Sequence, residues 1–505
     1  EGVNGDVLRG ATPDSTQRFA DCCGCGRVGE YWPVVFQMGG GFAVRNHDDL
    51  PRTLLMPGQQ FLCKNKGMLH VGTQQVIVIL EIREVMGLDF FRESREAQDI
   101  EAVPRIRRGD QIPLQLVHTN QQIHGLISLD MTTGQLNSLQ AKSIIIADGG
   151  YEGAWTGSNI GLGLDLALQA GLAARDLEFV GWAPLGVSGT NVVLPIGLLA
   201  DGATLHHSNG TPIEVELTAD STTIANAVGA SSDAVLDARN MGESSVWWAQ
   251  TFEMVSQRLG INMNKQTVPI SPRVATTIGG IPTDEHGRAV TGRWSRWFTG
   301  LYAAGDSACS GLHGAGLIAG NRLLDAMAGG AAAGEHAAAY AAKTNYTGRA
   351  ALETALGAVE ADLDFDMAES EEGPVQRTGA LFTKLTDVMQ TKLGASRDAS
   401  GLESALESLE GLMDSAGKIH LDDRSRLFNT NLLEALRLKA GIRLATATAR
   451  SALSRTESRG THRRLDFDEE DSDQLHHTLV DTHGNMSTLA IRKGGSGTWV
   501  LSPDA

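Results

Sequence analysis

Glycines and a single carboxylate give the stretch 298–323 a distinct chemical signature. It opens as an apolar strand that ends at Gly305 and Asp306, and it closes on a helix that begins at Asn321. A carboxylate at the mouth of a strand suits a bound sugar alcohol, because the adjacent glycine lets a ligand approach the backbone. Backbone N–H groups at a helix N-terminus accept anionic or oxygen-rich ligands. The pattern therefore predicts a cofactor-binding segment.

The glycines of this stretch allow two interpretations. The spacing of Gly314, Gly316 and Gly320 is compatible with a dinucleotide-binding loop, but such a loop follows its strand directly, and here eight residues separate Gly305 from Gly314. We favour the second cofactor contact of a flavoprotein. From residue 298 or 299 onward the segment resembles the signature T-x-x-x-x-[YF]-A-x-G-D, whose Asp binds the ribityl chain of FAD.

The longer segment GLYAAGDSACSGLHGAGLIAGNRLLDA, residues 300–326, resembles the flavoprotein subunits of succinate dehydrogenase and fumarate reductase. Shorter matches lie at 47–53, at 148–150 and at 455–463. The resemblance implies an α/β fold, in which an incomplete Rossmann-like FAD-binding domain carries an inserted α+β capping domain and a C-terminal helical domain. The implied boundaries are 1–180 and 275–345 for the FAD-binding domain, 181–274 for the capping domain, 346–470 for the helical domain and 471–505 for a C-terminal segment.

The same resemblance implies FAD as the cofactor and assigns its contacts. They are Gly2, Gly149, Gly150, Gly161, Gly163, Gly305, Asp306, Asn321, Arg322 and Leu323. In the family, the pyrophosphate-binding strand–turn–helix and the flavin-attaching His precede the position of Glu1. We therefore expect a chain truncated at its N-terminus that holds FAD poorly, and covalent attachment stays open. Asp148 stands where the family has Thr. Leu162 stands where it has a flavin-contacting Asp, and Asp165 is shifted by three positions.

The substrate positions depart from the family. Hydride transfer between a flavin and a dicarboxylate requires cations that hold the carboxylates and a proton donor across the reacting bond. Family members supply two His, a Thr-Glu pair and two Arg. In this chain the matching positions are occupied by Ala183, Ile196, Ala275 and Leu317. No Lys or Arg occurs from 201 to 238 either, and Trp182 and His313 remain as pocket candidates.

Three functional hypotheses follow from this departure. The favoured one is an FAD-dependent oxidoreductase, with hydride transfer at flavin N5, on a substrate less polar than succinate or differently charged. Trp182 adds a comparison with adenylylsulfate reductase, a related flavoprotein with a Trp-containing pocket. The alternatives are a working succinate dehydrogenase or fumarate reductase subunit with relocated site residues, and a non-catalytic homologue. The compositionally odd segment 5–31, read as a deletion or a sequence error, favours the last.

Composition narrows the partners and the location. A net charge of −18 over 505 residues argues against nucleic acid as the main partner. No run of about 18 apolar residues predicts a transmembrane helix. Five cysteines favour a reducing compartment, hence the cytoplasm. The expected partners are a small-molecule substrate and, from the resemblance, an iron–sulfur subunit. Peripheral attachment to the inner face of the membrane through that subunit is the alternative location.

Local patterns predict individual elements. Period-two alternation predicts strands at 114–118 and 123–130, and apolar runs predict strands at 143–147 and 192–198. A helix is predicted at 164–170. Segment 75–82 is β-branched, but its family position favours a helix. The remaining predictions are a buried helical stripe from Trp247 to Leu259, a structural ion-pair region at 455–463, an exposed pair at His476 and His477, and no metal site at that pair or at the cysteines at 22, 23 and 25.

Overall fold

The structure is a computed structural model that describes residues 34–38, 41–45, 76–79, 111–157, 159–190, 192–216, 219–291, 296–318, 320–366, 376–421, 423–493 and 499–503. Several sequence predictions fall outside these residues. They are the FAD contact at Gly2, the cysteines at 22, 23 and 25, most of segment 5–53 and the flanks of segment 75–82.

Strands and helices are numbered here in chain order over the described residues. The strands are β1 (Val34–Met38), β2 (Gly41–Arg45), β3 (Val76–Ile79), β4 (Gln111–Thr119), β5 (Gln122–Asp130), β6 (Leu136–Gln140), β7 (Ser143–Ile146), β8 (Ala174–Arg175), β9 (Val180–Val187), β10 (Thr204–His207), β11 (Ala234–Asp237), β12 (Val268–Thr277), β13 (Ile281–Pro282), β14 (Arg288–Thr291), β15 (Arg296–Ala303), β16 (Ala308–Cys309), β17 (His476–Val480), β18 (Met486–Lys493) and β19 (Trp499–Pro503). The α-helices are α1 (Leu162–Gln169), α2 (Gly197–Ala200), α3 (Ser221–Gly229), α4 (Ser244–Trp247), α5 (Ala249–Leu259), α6 (Asn321–Lys343), α7 (Arg349–Asp366), α8 (Thr378–Lys392), α9 (Ala399–Ala416) and α10 (Thr430–Ser454).

A seven-stranded sheet carries the predicted cofactor segment. Its order is β3-β7-β15-β5-β4, with β14 beside β15 and β6 beside β5. The parallel strands β3, β7 and β15 lie next to one another. The antiparallel pair β4–β5 turns at Asn120 and Gln121, whose φ values of 49° and 62° suit a tight hairpin turn. The alternating segments form strands as predicted, but β5 is buried on both faces from Ile123 to Leu129 and is not the half-buried strand that the alternation indicates.

Two secondary-structure predictions are wrong. Residues 76–79 form strand β3, parallel to β7, and not a helix. Pairing with a neighbouring strand satisfies the backbone of this β-branched run, in agreement with its local propensity. Segment 192–198 forms no regular strand among its described residues. Val193 makes an isolated bridge to Gly186, and helix α2 begins after Ile196. Pro195 has no N–H to donate to a strand ladder.

The region between β9 and β12 has a hydrophobic core of its own. Strands β10, β11, β12 and β9 form a four-stranded antiparallel sheet. Its core side chains run from Leu185 to Ile270, within the predicted capping range 181–274. Asp220 begins α3 by accepting hydrogen bonds from the N–H groups of Thr222 and Thr223. The boundaries of the predicted domains remain predictions.

The predicted helical stripe near Trp247 is only partly buried. Phe252 and Val255 on α5 lie in the core of the region, and Trp248 donates a hydrogen bond to Asp201 at 2.7 Å. The side chain of Trp247 is 81% exposed, so its prediction as core is wrong. Helix α4 ends at Trp247 and α5 begins two residues later, and this break takes its ring off the buried face.

Helices α8, α9 and α10 pack together and share the main core with the seven-stranded sheet. Helix α9 turns one apolar face to this core, with Leu402 and Leu409 buried. Asn429 caps α10 by accepting from the N–H of Leu432 at 2.9 Å. Helix α10 also contacts α1, so the helical region rests directly on the elements that follow β7.

Candidate functional site

Two adjacent parallel strands position the candidate cofactor cradle. Strands β7 and β15 pair in register, so their carboxyl ends reach the same edge of the sheet. Past these ends the chain runs through Gly149 and Gly305, with φ values of 91° and 64°. Side chains rarely adopt such angles, so glycine is required at both places. The two glycine turns leave backbone exposed at one edge, where a ligand can approach it closely.

Asp148 joins the two strand ends to helix α1. Its buried carboxylate accepts hydrogen bonds from the Gly163 N–H at 2.6 Å and from the Ser307 hydroxyl at 2.9 Å. The Ser307 hydroxyl in turn accepts from the Gly149 N–H at 2.9 Å. Burial raises the pKa of Asp148 to about 6, against the opposing effect of these hydrogen bonds. Asp148, which stands where the family has Thr, thus links the ends of β7 and β15 to helix α1.

Asp306 and Arg322, two predicted cofactor contacts, bind each other. Asp306 lies in the 3-10 turn after β15, and Arg322 in the first turn of α6. Arg322 donates to the Asp306 carboxylate, to Glu152 at 3.2 Å and to the Ala275 carbonyl at 3.3 Å. Burial opposes its charge, yet Asp306 and then Glu152 raise the pKa of Arg322 above its ordinary value. Arg322 thus brings the carboxylates of Asp306 and Glu152 together near the edge of the sheet where the chain turns at Gly149 and Gly305.

Sequence reasoning missed Glu152 and Ser307. Glu152 begins a short 3-10 helix two residues after Gly150, and its nearness to the Gly149-Gly150 pair was the available signal. Ser307 directly follows Asp306, and nothing in its local pattern distinguishes it. Both roles depend on residues more than 150 positions away in the chain, which a local pattern cannot reveal.

The remaining predicted glycine contacts serve packing as well as approach. A Cβ at Gly150 would lie 2.3 Å from the Thr277 hydroxyl oxygen, and one at Gly163 would lie 2.4 Å from an Ile146 methyl carbon. Gly161 is the N-cap of α1, with a φ of 72°. These glycines bring α1 and β12 close to the end of β7. Their contact with a flavin stays a prediction.

The first residues of α6 lie beside the cradle. Asn321 donates its N–H to the Ile318 carbonyl at 3.1 Å, and Leu323 is 55% exposed. The neighbouring side chains of Leu312, Ile318 and Leu324 are exposed as well. Exposed apolar side chains that cluster in one segment are candidates for a ligand or interaction surface. Their contact with a flavin stays a prediction.

Asp165 does not take the place of the missing flavin-contacting Asp. Its carboxylate is fully buried and receives two hydrogen bonds from Arg443 on α10, both at 2.7 Å. Gln169 donates to it as well. This Asp therefore fastens α1 to the helical region, and its lone pairs are already in use.

Two of the four matched substrate positions lie on neighbouring strands. Ala183 lies on β9 and Ala275 lies on β12. The partner of Ala183 in this strand pair is Arg273, and Ala275 lies at a register shift. Ile196 precedes α2 and is 43% exposed, and Leu317 is half-buried in the loop before α6. Only Ala275 touches the flavin cradle through a described hydrogen bond, by way of Arg322.

The two pocket candidates, Trp182 and His313, each contact another side chain. Trp182 is buried in the main core, with its ring edge-to-face against Trp155 at a centroid distance of 6.5 Å. His313 lies 3.3 Å from the Asp325 carboxylate. A role of either side chain in substrate binding stays a prediction.

The Arg–Glu–His-rich segment forms a buried ion-pair network. Arg455 donates to Glu178 at 2.8 Å and to Glu457 at 2.9 Å, and Arg459 also donates to Glu457. Burial, and then Arg397, lower the pKa of His462 well below its usual value. These contacts agree with the structural role predicted for 455–463.

The predicted exposed pair His476 and His477 is wrong for His477. This side chain is buried, and its Nδ1 contacts the Asp176 carboxylate. The cause is pairing of β17 with β8, which carries His477 next to Asp176. Asp176 also accepts from the Thr478 N–H at 3.0 Å.

Comparison with known proteins places the chain in a family. The FAD binding domain family matches residues 92–323, and the fumarate reductase flavoprotein C-term family matches residues 382–494. The chain belongs to the succinate dehydrogenase and fumarate reductase flavoprotein-subunit family. Its members are FAD-dependent oxidoreductases, and FAD is the cofactor of this chain. The contact of Asp306 with FAD stays a prediction.

Individual relatives of this flavoprotein are moderately similar. The fumarate reductase flavoprotein subunit of Haemophilus influenzae is 29% identical over 418 residues, which covers 75% of this chain and 68% of the relative. The succinate dehydrogenase flavoprotein subunit of Coxiella burnetii is 30% identical over 397 residues, or 72% of this chain and 66% of the relative. A solved quinol–fumarate reductase with menaquinol molecules is 26% identical, with a TM-score of 0.67. The match covers 75% of this chain and 71% of the chain of that structure.

The flavoprotein's described helices include no candidate membrane span, because none is both long and apolar enough. The family assignment agrees with the α/β sheet, the separate capping core and the helical region described above. It leaves the substrate open.

Proposed function

We propose that this flavoprotein oxidises or reduces a substrate other than succinate or fumarate. The observation that carries the proposal is the absence of a polar side chain at the four matched substrate positions, Ala183, Ile196, Ala275 and Leu317. A dianion loses strong hydration when it enters a closed site, and paired cations must compensate that loss. None of these four side chains can do so.

The arginines near these positions support a substrate of lower charge. Arg322 reaches the Ala275 carbonyl, but Asp306 and Glu152 already share its guanidinium. Arg239, which follows the stretch without Lys or Arg, is held by Asp237 through two hydrogen bonds at 2.9 and 2.7 Å. Arg273 is the strand partner of Ala183 and carries one positive charge. Succinate has two carboxylates, and both of their charges would need compensation.

In this proposal the chain's own residues hold and orient the cofactor. Bound FAD supplies a hydride acceptor at its N5 atom. Asp306 would accept hydrogen bonds from the ribityl hydroxyls, and Arg322 holds the Asp306 carboxylate in place. The backbone at Gly149 and Gly305 would let the flavin approach closely, which only glycine at these φ angles permits.

A second candidate function is succinate oxidation or fumarate reduction with relocated site residues. The names of the Haemophilus influenzae and Coxiella burnetii relatives favour it. It requires a shuttle Arg for proton transfer, a role worth about 10²–10⁴ in rate.

Because both relatives are named as subunits, we also propose that this chain binds an iron–sulfur partner, through which it attaches to the inner face of a membrane.

Dye-coupled succinate oxidation by the FAD-loaded protein separates the candidates. A known dicarboxylate dehydrogenase, assayed beside it at equal flavin absorbance, serves as the reference. We expect no measurable succinate oxidation or fumarate reduction by flavin-loaded protein. Turnover within about tenfold of the reference would contradict the proposal and support the second candidate. A chain that takes up no flavin at all would instead support a non-catalytic homologue.

A further inference from the structure

A cavity of about 460 Å³ lies where three parts of the chain meet. Gly153, Thr156, Gly157 and Ile160 form one wall, Thr190 and Arg273 of the capping region form the second, and helices α8 and α10 form the third. Its volume falls within the range of small-molecule sites. Among the described residues that line it, none belongs to the flavin cradle or to the four matched substrate positions.

Arg273 brings a positive charge without a partner to this cavity. Its Nε and Nη1 atoms are shielded from solvent and have no hydrogen-bond acceptor within the described part of the chain. The methylenes are held in place by Gly186, where a Cβ would lie 2.4 Å from the Arg273 Cγ. Burial lowers the pKa of Arg273, because it disfavours the charged form. A shielded guanidinium without an acceptor is costly unless an anion joins it.

The other lining residues determine which anion fits. Glu434 pairs with Arg437 at 3.2 Å, so these two charges compensate each other and Arg273 supplies the excess. The apolar side chains of the lining are the half-buried Phe382 and the almost fully buried Ile160, and the other lining residues are Gly, Thr and charged residues. One excess positive charge matches one negative charge, and the Phe382 ring offers a contact for an apolar part of the ligand.

We propose that this cavity binds a small organic acid with one carboxylate and an apolar body. Arg273 holds the carboxylate, since a guanidinium donates to both carboxylate oxygens, and the Phe382 ring packs against the body. The proposal concerns binding alone and does not rest on the substrate proposed above.

Isothermal titration of the 505-residue chain with benzoate tests the site. Benzamide keeps the shape without the charge, and inorganic phosphate keeps negative charge without the apolar body. We expect benzoate to bind at least about tenfold more tightly than either. Arg273→Met retains the length of the side chain, and we expect it to weaken benzoate binding at least about tenfold. Arg239→Met, at an exposed Arg paired with Asp237, is the matched control and should bind benzoate as the parent does.

Urea unfolding separates loss of the ligand from loss of the fold. Arg273→Met removes a shielded charge without a partner, so its unfolding midpoint should not fall below that of the parent. If this variant does not fold, Phe382→Ala gives the second test and should weaken benzoate binding while it leaves phosphate binding unchanged. Equal binding of benzoate and benzamide, a preference for phosphate, no benzoate binding by the parent, or unchanged benzoate affinity in the variant that folds would overturn the proposal.

Discussion

Two regions of this chain differ in how the charge of an arginine is compensated. One is the buried segment 455–464, and the other is the capping region, which contains Arg273. Arg455 and Glu178 are both fully buried, and each of their charged groups has a close partner. Arg273 has two shielded nitrogen atoms and no acceptor among the described residues. A buried charge must be compensated either by the chain or by something that binds to it.

The difference indicates which polar groups maintain the fold and which are free to follow function. The network around Arg455 joins the helical region to strand β17 and to the segment before β9. Ala183 and Ala275 carry no polar side chain, although Ala183 on β9 is the partner of Arg273 and Ala275 lies on the same strand as Arg273.

Breaking the network should have the largest effect. Glu178→Ala leaves the fully buried Arg455 without one of its two carboxylate partners, and we expect a loss of about 3–5 kcal/mol in the free energy of unfolding. Urea unfolding measures it. The matched control is Glu470→Ala, whose 61% exposed carboxylate pairs with Arg459 and should cost less than about 1 kcal/mol. Equal losses in both variants would remove the distinction between the two regions.

Asp148 should give a pH-dependent effect of intermediate size. Its pKa rises from 3.8 to about 6 on folding, so its ionisation favours the unfolded state as pH rises through this window. Asp148→Asn removes that ionisation. Relative to the parent, the variant should gain about 3 kcal/mol of unfolding free energy between pH 3.5 and pH 7.5. Urea midpoints across this range measure the gain, and a difference that stays constant with pH would contradict the burial argument.

Asp306 should give the smallest effect and sharpens the comparison from the cleft side. Asp306→Ala removes an acceptor from the flavin cradle and one partner of Arg322. We expect flavin binding to weaken by about 1–3 kcal/mol, the usual cost of unpaired hydrogen-bonding groups. A titration of protein with FAD measures the affinity, and Asp473→Ala on an exposed turn is the control. Unchanged flavin affinity in Asp306→Ala would exclude it as a cofactor contact.

Local pattern accounts for much of the fold and for part of the site. Period-two alternation correctly predicts strands at β4 and β5, although β5 is buried on both faces. The apolar run at 192–198 wrongly predicts a strand, because Pro195 has no N–H for a ladder. At 76–79 the β-branched pattern agrees with the observed strand, and the helix that family position favours is wrong. His477 was predicted to be exposed because its partner, Asp176, lies 301 positions away.

The sequence by itself determined the family and the cofactor. These depend on residue identity at matched places, and identity is visible without coordinates. The tertiary structure alone decided that Arg322 binds Asp306, that Asp165 is taken by Arg443, and that Arg273 is shielded beside a cavity. Hydrogen-bond partners and burial arise from elements far apart in the chain, and only folding brings those elements together.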